Sequence, residues 1–311
     1  MLLEVVLLIA GLGLIVFGAD WLVDGASAVA RKAGLSEFVI GLTIVGFGTS
    51  CPELVVSLTG ALQGNADVAV GNVVGSNLFN TLLILGVTAL IAPLAITRNN
   101  ARRDIPIALL ATIMLVGLAL MGNNITRIEG VIMLVLFALY IYSCFKNDSG
   151  LDEEDAPKKE KSVFVSILLI LAGLAGLIFG GQLFVDNATI IARQLGVSDK
   201  VIAITLLAGG TSLPELATCV VAAFKGKGQL ALGNILGSNV FNILLIIGTS
   251  AAIVPLSTAA MGLVDFAVLI LSSVILLLWT VTGSKNKIDR WESVLMILLY
   301  VAYIAYLFVK I

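Results

Sequence analysis

The stretch Gly48-Thr49-Ser50-Cys51-Pro52-Glu53-Leu54 puts an acid, a proline and two hydroxyls inside an otherwise apolar run. It returns 162 residues later as Gly210-Thr211-Ser212-Leu213-Pro214-Glu215-Leu216. Around it, Gly34 to Asn80 aligns without gaps to Gly196 to Asn242, and 21 of those 47 positions are identical. The match continues through Pro93 and Pro255. A repeat of this length means that the chain holds two copies of one unit.

Of 311 residues, 59% are hydrophobic and only 12% are charged. Soluble domains are about a quarter charged, so a soluble fold of this length could not cover itself with polar surface. Long apolar runs point to a polytopic membrane protein. The net charge of −2 says little about partners, and no basic face suggests nucleic acid. Histidine is absent, which removes the commonest proton shuttle and the commonest zinc ligand. Cys51, Cys144 and Cys219 are odd in number and unclustered, so they read as small hydrophobes rather than a disulfide framework. The N-terminus lacks a basic region and a cleavage signal, as expected of a first membrane helix rather than a removed leader.

Apolar periodicity predicts an all-α chain of ten transmembrane spans. They cover about residues 3–23, 37–63, 68–91, 105–121, 128–145, 163–185, 200–224, 230–254, 263–281 and 292–309. The chain divides into a five-helix repeat at 1–145, a charged linker at 146–162 and a second five-helix repeat at 163–311. An odd number of spans per half makes the second copy enter from the opposite side, so the repeats have inverted topology, as in many secondary transporters. Loops on one side carry 14 of the 18 lysines and arginines, and the other side carries 4. The positive-inside rule then places the linker in the cytoplasm and both termini outside the cell membrane.

Glu53 and Glu215 fall near the centres of their spans, where an ionised carboxylate costs at least roughly 2.5–3.5 kcal/mol. No lysine or arginine is predicted at that depth, so the compensating charge should be a bound ion or a proton. Pro52 and Pro214 cannot donate to the carbonyls one turn earlier, and the loosened turns are expected to free carbonyls at Gly46 and Ala208. Thr49 and Ser50 lie four and three residues before Glu53, so their hydroxyls are expected on its helix face. Ser76, Asn77 and Asn80 cluster likewise, as do Ser238, Asn239 and Asn242. Gly71, Gly75, Gly233 and Gly237 give each half a Gly-x-x-x-Gly spacing for close helix approach. The donor inventory is all oxygen, which suits hard cations such as calcium and sodium. A lone membrane glutamate can be a protonated structural residue. Two at matched positions, each with a proline and hydroxyls, argue for a site.

The two Gly-Thr-Ser-x-Pro-Glu-Leu segments are each followed by Gly-Asn-x-x-Gly-Ser-Asn-x-Phe-Asn. Together they resemble the alpha-repeats of the sodium/calcium exchanger family, within the cation/calcium exchanger superfamily, in order and across both halves. The resemblance implies a ten-helix antiporter with a diamond-shaped site between spans 2, 3, 7 and 8, across which spans 1 and 6 slide. It implies that Glu53 and Glu215 are shared calcium and sodium ligands and that Thr49 and Thr211 add carbonyls. Ser50, Ser212, Ser76 and Ser238 would form flanking sodium sites with the carbonyls of Gly46 and Ala208, and Asn80 and Asn242 would complete the diamond. Some similar archaeal exchangers carry an aspartate in place of Asn242. With two amides the site charge is −2, which one calcium balances, whereas three sodium ions leave +1.

The implied activity is sodium/calcium antiport, with calcium and sodium as cargo and no cofactor. Proton/calcium exchange on the same fold is the alternative, although that sister branch shows a different signature around its acids. A cation channel fits less well with inverted repeats and broken helices. The chain has no His-Glu-x-x-His, no nucleophile paired with histidine and no cofactor motif, so it does not read as an enzyme. Its partners are the two ions and the lipid bilayer, and a monomer holds all the elements that transport needs.

Overall fold

Helices form nearly all of the regular structure, and their outer faces are apolar. In the computed structural model, residues 2–148, 150, 162–197, 208–259, 261–280 and 286–310 are described. Leu3, Ile9, Phe17, Leu110, Ile128, Leu139, Phe164, Phe179 and Leu298 point outward from several different helices. So much outward apolar surface fits lipid and not water.

Among the described residues, seven helices are long and apolar enough to cross a bilayer. They are α1 (Leu2–Ala33), α4 (Asp67–Ile91), α5 (Asn100–Gly122), α6 (Arg127–Lys146), α7 (Val163–Gln194), α10 (Gly228–Ile253) and α12 (Arg290–Val309). An eighth span is formed if α2 (Glu37–Thr49) and α3 (Cys51–Leu62), bent by 46° at Ser50, count as one. Three shorter helices complete the set: α8 (Ala208–Gly210), α9 (Leu213–Phe224) and α11 (Leu263–Trp279). The seventh span expected from the sequence begins at Lys200, and residues 198–207 lie outside the described residues.

α10 is the most enclosed span and α4 is next, while α1, α6, α7 and α12 keep most of their surface outward. The bent α2–α3 pair, α4, α9 and α10 therefore form the centre. α1 and α7 pack along each other on one side, and α12 lies on the end of α4 while α6 lies on the end of α10. These last two contacts exchange under the 162-residue offset. So, to within one residue, do two short antiparallel pairs: β1 (Leu94–Ala95) with β4 (Lys287–Ile288), and β2 (Asn124–Ile125) with β3 (Leu256–Ser257).

α1 and α7 each run 32 residues, longer than the spans expected at 3–23 and 163–185. The sequence reading stopped at Asp24 and Asp186, but a single charge does not end a helix. The chain turns only at Gly34 and Gly196, whose φ angles of 68° and 80° suit a left-handed glycine terminator. Asp20 and Asp24 are therefore not at a helix end. Lys225 Nζ lies 2.7 Å from Asp20 and 2.6 Å from Asp24, tying α1 to the end of α9. Partial burial pulls the Lys225 pKa down, but its hydrogen bonds to Asp20 and Asp24 and their charges pull harder, so it lies above the ordinary lysine value.

Gly233 and Gly237 make the close approach expected of them. A Cβ at Gly233 would collide with the Phe38 carbonyl, and one at Gly237 with the Leu42 carbonyl. At Gly71 and Gly75 the described neighbours leave space. By the repeat, the residues equivalent to Phe38 and Leu42 that would approach these two glycines are 200 and 204, outside the described residues.

Gly237→Val should lower the stability of the detergent-solubilised protein by about 1–3 kcal/mol or more, because a backbone carbonyl cannot yield as a side chain does. Gly117→Ala, where nothing lies within 4 Å of the added carbon, should leave the melting temperature unchanged or raised. Thermal unfolding of the two variants checks both.

Candidate cation site

The motif does not kink one helix; it ends one and starts another. Ser50 has φ −84° and ψ 5°, and Ser212 has φ −90° and ψ 7°, so each serine leaves helical geometry at matched positions. α3 then begins at Cys51 and α9 at Leu213, with Pro52 and Pro214 as second residues. A proline there loses no helical hydrogen bond, since the first N–H groups of a helix have no partner within it. Glu53 and Glu215 follow in the first turn, where the helix N-terminus favours a negative charge.

The break overturns two expectations. Gly46 was expected to offer a free carbonyl, but that carbonyl accepts from Ser50 N at 3.1 Å and from Ser238 Oγ at 3.5 Å. The hydroxyls of Thr49 and Ser50 were expected on the face of Glu53. With the helix interrupted between them, Ser50 Oγ instead donates to Glu215 Oε1 at 3.0 Å, and Ser212 Oγ donates to Glu53 Oε1 at 3.0 Å. Each half thus hydrogen-bonds the carboxylate of the other. Ser212 also meets Ser76 Oγ at 3.3 Å. Thr49 Oγ1 turns to the Val45 carbonyl at 3.1 Å and to Asn234 Oδ1 at 3.2 Å.

What is left unbonded defines the site. Glu53 and Glu215 are fully enclosed, and among the described residues each has one carboxylate oxygen, Oε2, without a hydrogen-bond partner. Among the same residues, Thr211 Oγ1, Asn80 Oδ1 and Asn242 Oδ1 are also buried without partners. Buried polar atoms are nearly always satisfied, so several unsatisfied oxygens in one motif set ask for a ligand. All are acceptors or hydroxyls, and among the described residues no ion pair reaches either glutamate. A hard cation supplies what they lack. The two carboxylates are near enough for their charges to act on one another, which strengthens the need.

Of the residues singled out from the sequence, Glu53, Glu215, Ser50, Ser212 and Ser76 are joined by hydrogen bonds. Asn80 and Asn242 sit in π-helical turns, Phe79–Ile84 and Phe241–Ile247, a widened form frequent at functional sites. Thr49 closes α2, and Ala208 opens α8. Sequence reasoning missed Asn72 and Asn234 as working parts. Asn72 Nδ2 donates to the Glu53 carbonyl at 3.2 Å and to Ser57 Oγ at 3.0 Å, and Asn234 Nδ2 donates to Cys219 Sγ at 3.3 Å. Their identity at matched positions was the available signal.

Fold and site together define a multi-pass membrane protein with a buried, anionic, oxygen-lined centre. The sodium/calcium exchanger protein family matches residues 3–146 and again 165–309, so the chain belongs to that family. It is 38% identical over 97% of its length to CaxA of Alkalimonas amylolytica, named as an antiporter, and covers 98% of that chain. It is 34% identical to sodium/calcium exchanger MaX1 of Methanosarcina acetivorans, over 97% of each chain. The solved sodium-calcium exchanger NCX_Mj superposes with a TM-score of 0.85 at 36% identity, covering 98% of each chain.

A cation that binds between these oxygens should stabilise the fold by mass action. Calcium at a hundredfold excess over its dissociation constant is worth about 2.7 kcal/mol. A thermal melt should therefore rise with calcium, fall back with chelator, and lose its calcium response in Glu53→Gln and in Glu215→Gln.

Proposed function

We propose that this protein is a sodium/calcium antiporter, in which calcium and sodium compete for Glu53 and Glu215. The observation that carries the reading is the pair of enclosed carboxylates, each half-satisfied by a serine of the opposite repeat and each with an open oxygen. Calcium accepts six to eight oxygen ligands. The two Oε2 atoms, Asn80 Oδ1 and Asn242 Oδ1 are offered to it, with the carbonyls of Thr49 and Thr211. Sodium takes the same carboxylates together with Ser50, Ser212, Ser76, Ser238 and the carbonyl of Ala208. One centre of charge −2 is balanced by one calcium, and it cannot hold both cargo sets at once. That exclusion couples the two fluxes.

The reading includes ten spans arranged as two inverted five-helix repeats, 1–145 and 163–311, joined by a cytoplasmic linker at 146–162. α9 with the segment before it supplies the seventh span and α11 the ninth. The exchange of helix and strand contacts under the 162-residue offset supports it, as does the asymmetry of positive charge. Both termini then face outside, and α1 and α7 form the element that moves against the central helices. The ions and the bilayer are the only partners this cycle requires, and one chain suffices for it.

Proteoliposomes loaded with sodium should take up radiolabelled calcium, and Glu53→Ala should abolish the uptake. Uptake driven equally by a pH gradient without sodium would favour proton/calcium exchange. Uptake without any counter-ion gradient would favour a channel.

Topology has its own test. In a variant without Cys51, Cys144 and Cys219, a cysteine placed at Gly150 should react with an impermeant thiol reagent only from the cytoplasmic side. One placed at Asn123 should react only from outside. The opposite pattern would invert the proposed orientation.

A further inference from the structure

The asparagines of the two repeated Ser-Asn-x-x-Asn segments form a chain whose polarity is fixed at one end. Asn77 Nδ2 donates to the backbone carbonyl of Asn239 at 3.1 Å. A carbonyl only accepts, so this contact decides which end of the Asn77 amide is nitrogen. Asn77 Oδ1 must then face Asn242, and it accepts from Asn242 Nδ2 at 2.9 Å. Asn242 Oδ1 is left on the other side, buried and without a partner. A single main-chain carbonyl thereby orients a side chain two hydrogen bonds away.

The equivalent device is missing in the other half. By the repeat, Asn239 should hold Asn80. Instead Asn239 Nδ2 donates to Thr81 Oγ1 at 2.8 Å, where the second half has the apolar Ile243. Asn239 Oδ1 and Asn80 Oδ1 are both left without partners, and among the described residues no hydrogen bond holds the Asn80 amide. The two middle amides of the site are therefore unequal: a side chain holds Asn242, and among the described residues none holds Asn80 Oδ1.

We propose that Asn77 is a positioning residue for ion binding, whose acceptor oxygen locks the Asn242 amide with Oδ1 toward the cation. The inference rests on the Glu53–Glu215 centre being the transport site. An amide released from Asn77 is no longer set with its oxygen toward the site before the ion arrives, and the orientations that present its N–H₂ edge oppose binding.

The test compares Asn77→Leu with Asn77→Asp in sodium-driven calcium uptake. Asn77→Leu removes the acceptor and should raise the KM for calcium about tenfold, with the maximal rate changed less than about twofold, since a tenfold change corresponds to one hydrogen bond to a charged or strongly polarised group. Asn77→Asp keeps an acceptor toward Asn242 but, like leucine, gives up the donor to the Asn239 carbonyl. Its KM should stay at or below the unsubstituted value. A merely structural role depends on the bond that both variants lose, so equal increases in KM overturn the proposal, as does an unchanged KM in Asn77→Leu. Where Asn77→Leu does not fold, the asparagine-labelled unsubstituted protein decides by NMR. The Asn242 side-chain NH₂ signal, assigned by its loss in Asn242→Leu, should exchange slowly with and without calcium; rapid exchange overturns the proposal. A Glu53→Gln arm separates the two levels. If that variant transports calcium normally, the site reading itself falls; if it is inactive while Asn77→Leu is unaffected, only the role of Asn77 falls.

Discussion

The rest of the structure depends on two carboxylates being held in a membrane interior with no permanent counter-charge among the described residues. Glu53 and Glu215 are enclosed, and each receives one hydroxyl hydrogen bond, from Ser212 and Ser50 respectively. One such bond does not offset the removal of an ionised group from water, which costs several kcal/mol after relaxation. Two helix N-termini directed at the same region reduce the deficit without removing it. The centre is thus built to be incomplete, and its remaining demand is electrostatic and hard. A lysine or arginine in the same place would satisfy the acids permanently and leave nothing for a mobile cation to do.

The crossed pattern of these bonds also explains why the halves are inseparable. A serine that bonded its own glutamate would let each repeat satisfy itself. Here the break at Ser50 and at Ser212 turns each hydroxyl away from the acid three residues later and toward the acid of the other copy. The tight seat of α10 on α2, through Gly233 and Gly237, holds this exchange in register. α1 and α7 stand apart from that arrangement. Their surfaces are mostly outward, and α1 is tied to the end of α9 by Lys225 with Asp20 and Asp24. Those groups are part-exposed, and such pairs contribute little to stability.

Much of this was legible in the sequence because the repeat marks it. Glu53, Glu215, the flanking hydroxyls and the two asparagine clusters stand out as polar residues in apolar runs at a constant offset. The helix break was read only as a loosened turn, because proline is compatible with both. Only the backbone at Ser50 distinguishes a proline inside a helix from one at the second position of a new one. The destination of each serine was likewise hidden, since spacing along a helix predicts neighbours only while the helix continues. The length of α1 was hidden for a different reason: hydropathy reports where the apolar window ends, and a helix ends where its backbone is terminated, ten residues later at Gly34.

A duplicated site need not be a symmetric one. The acids keep the symmetry with Ser50 and Ser212, and these two bonds match at 3.0 Å in both directions. The amides break it, and the break traces to one position, Thr81 against Ile243. A threonine hydroxyl there captures the Asn239 amide and so deprives Asn80 of the partner that Asn242 has in Asn77. An exchanger must bind two ions of unlike size and charge at one centre and release each of them. A rigid, wholly symmetric cage would favour one ion and hold it too well. One held oxygen gives the centre a reference geometry, and among the described residues the other amide lacks that hold. The sequence difference that produces this lies one residue beyond the conserved-looking motif, where the two repeats no longer need to agree.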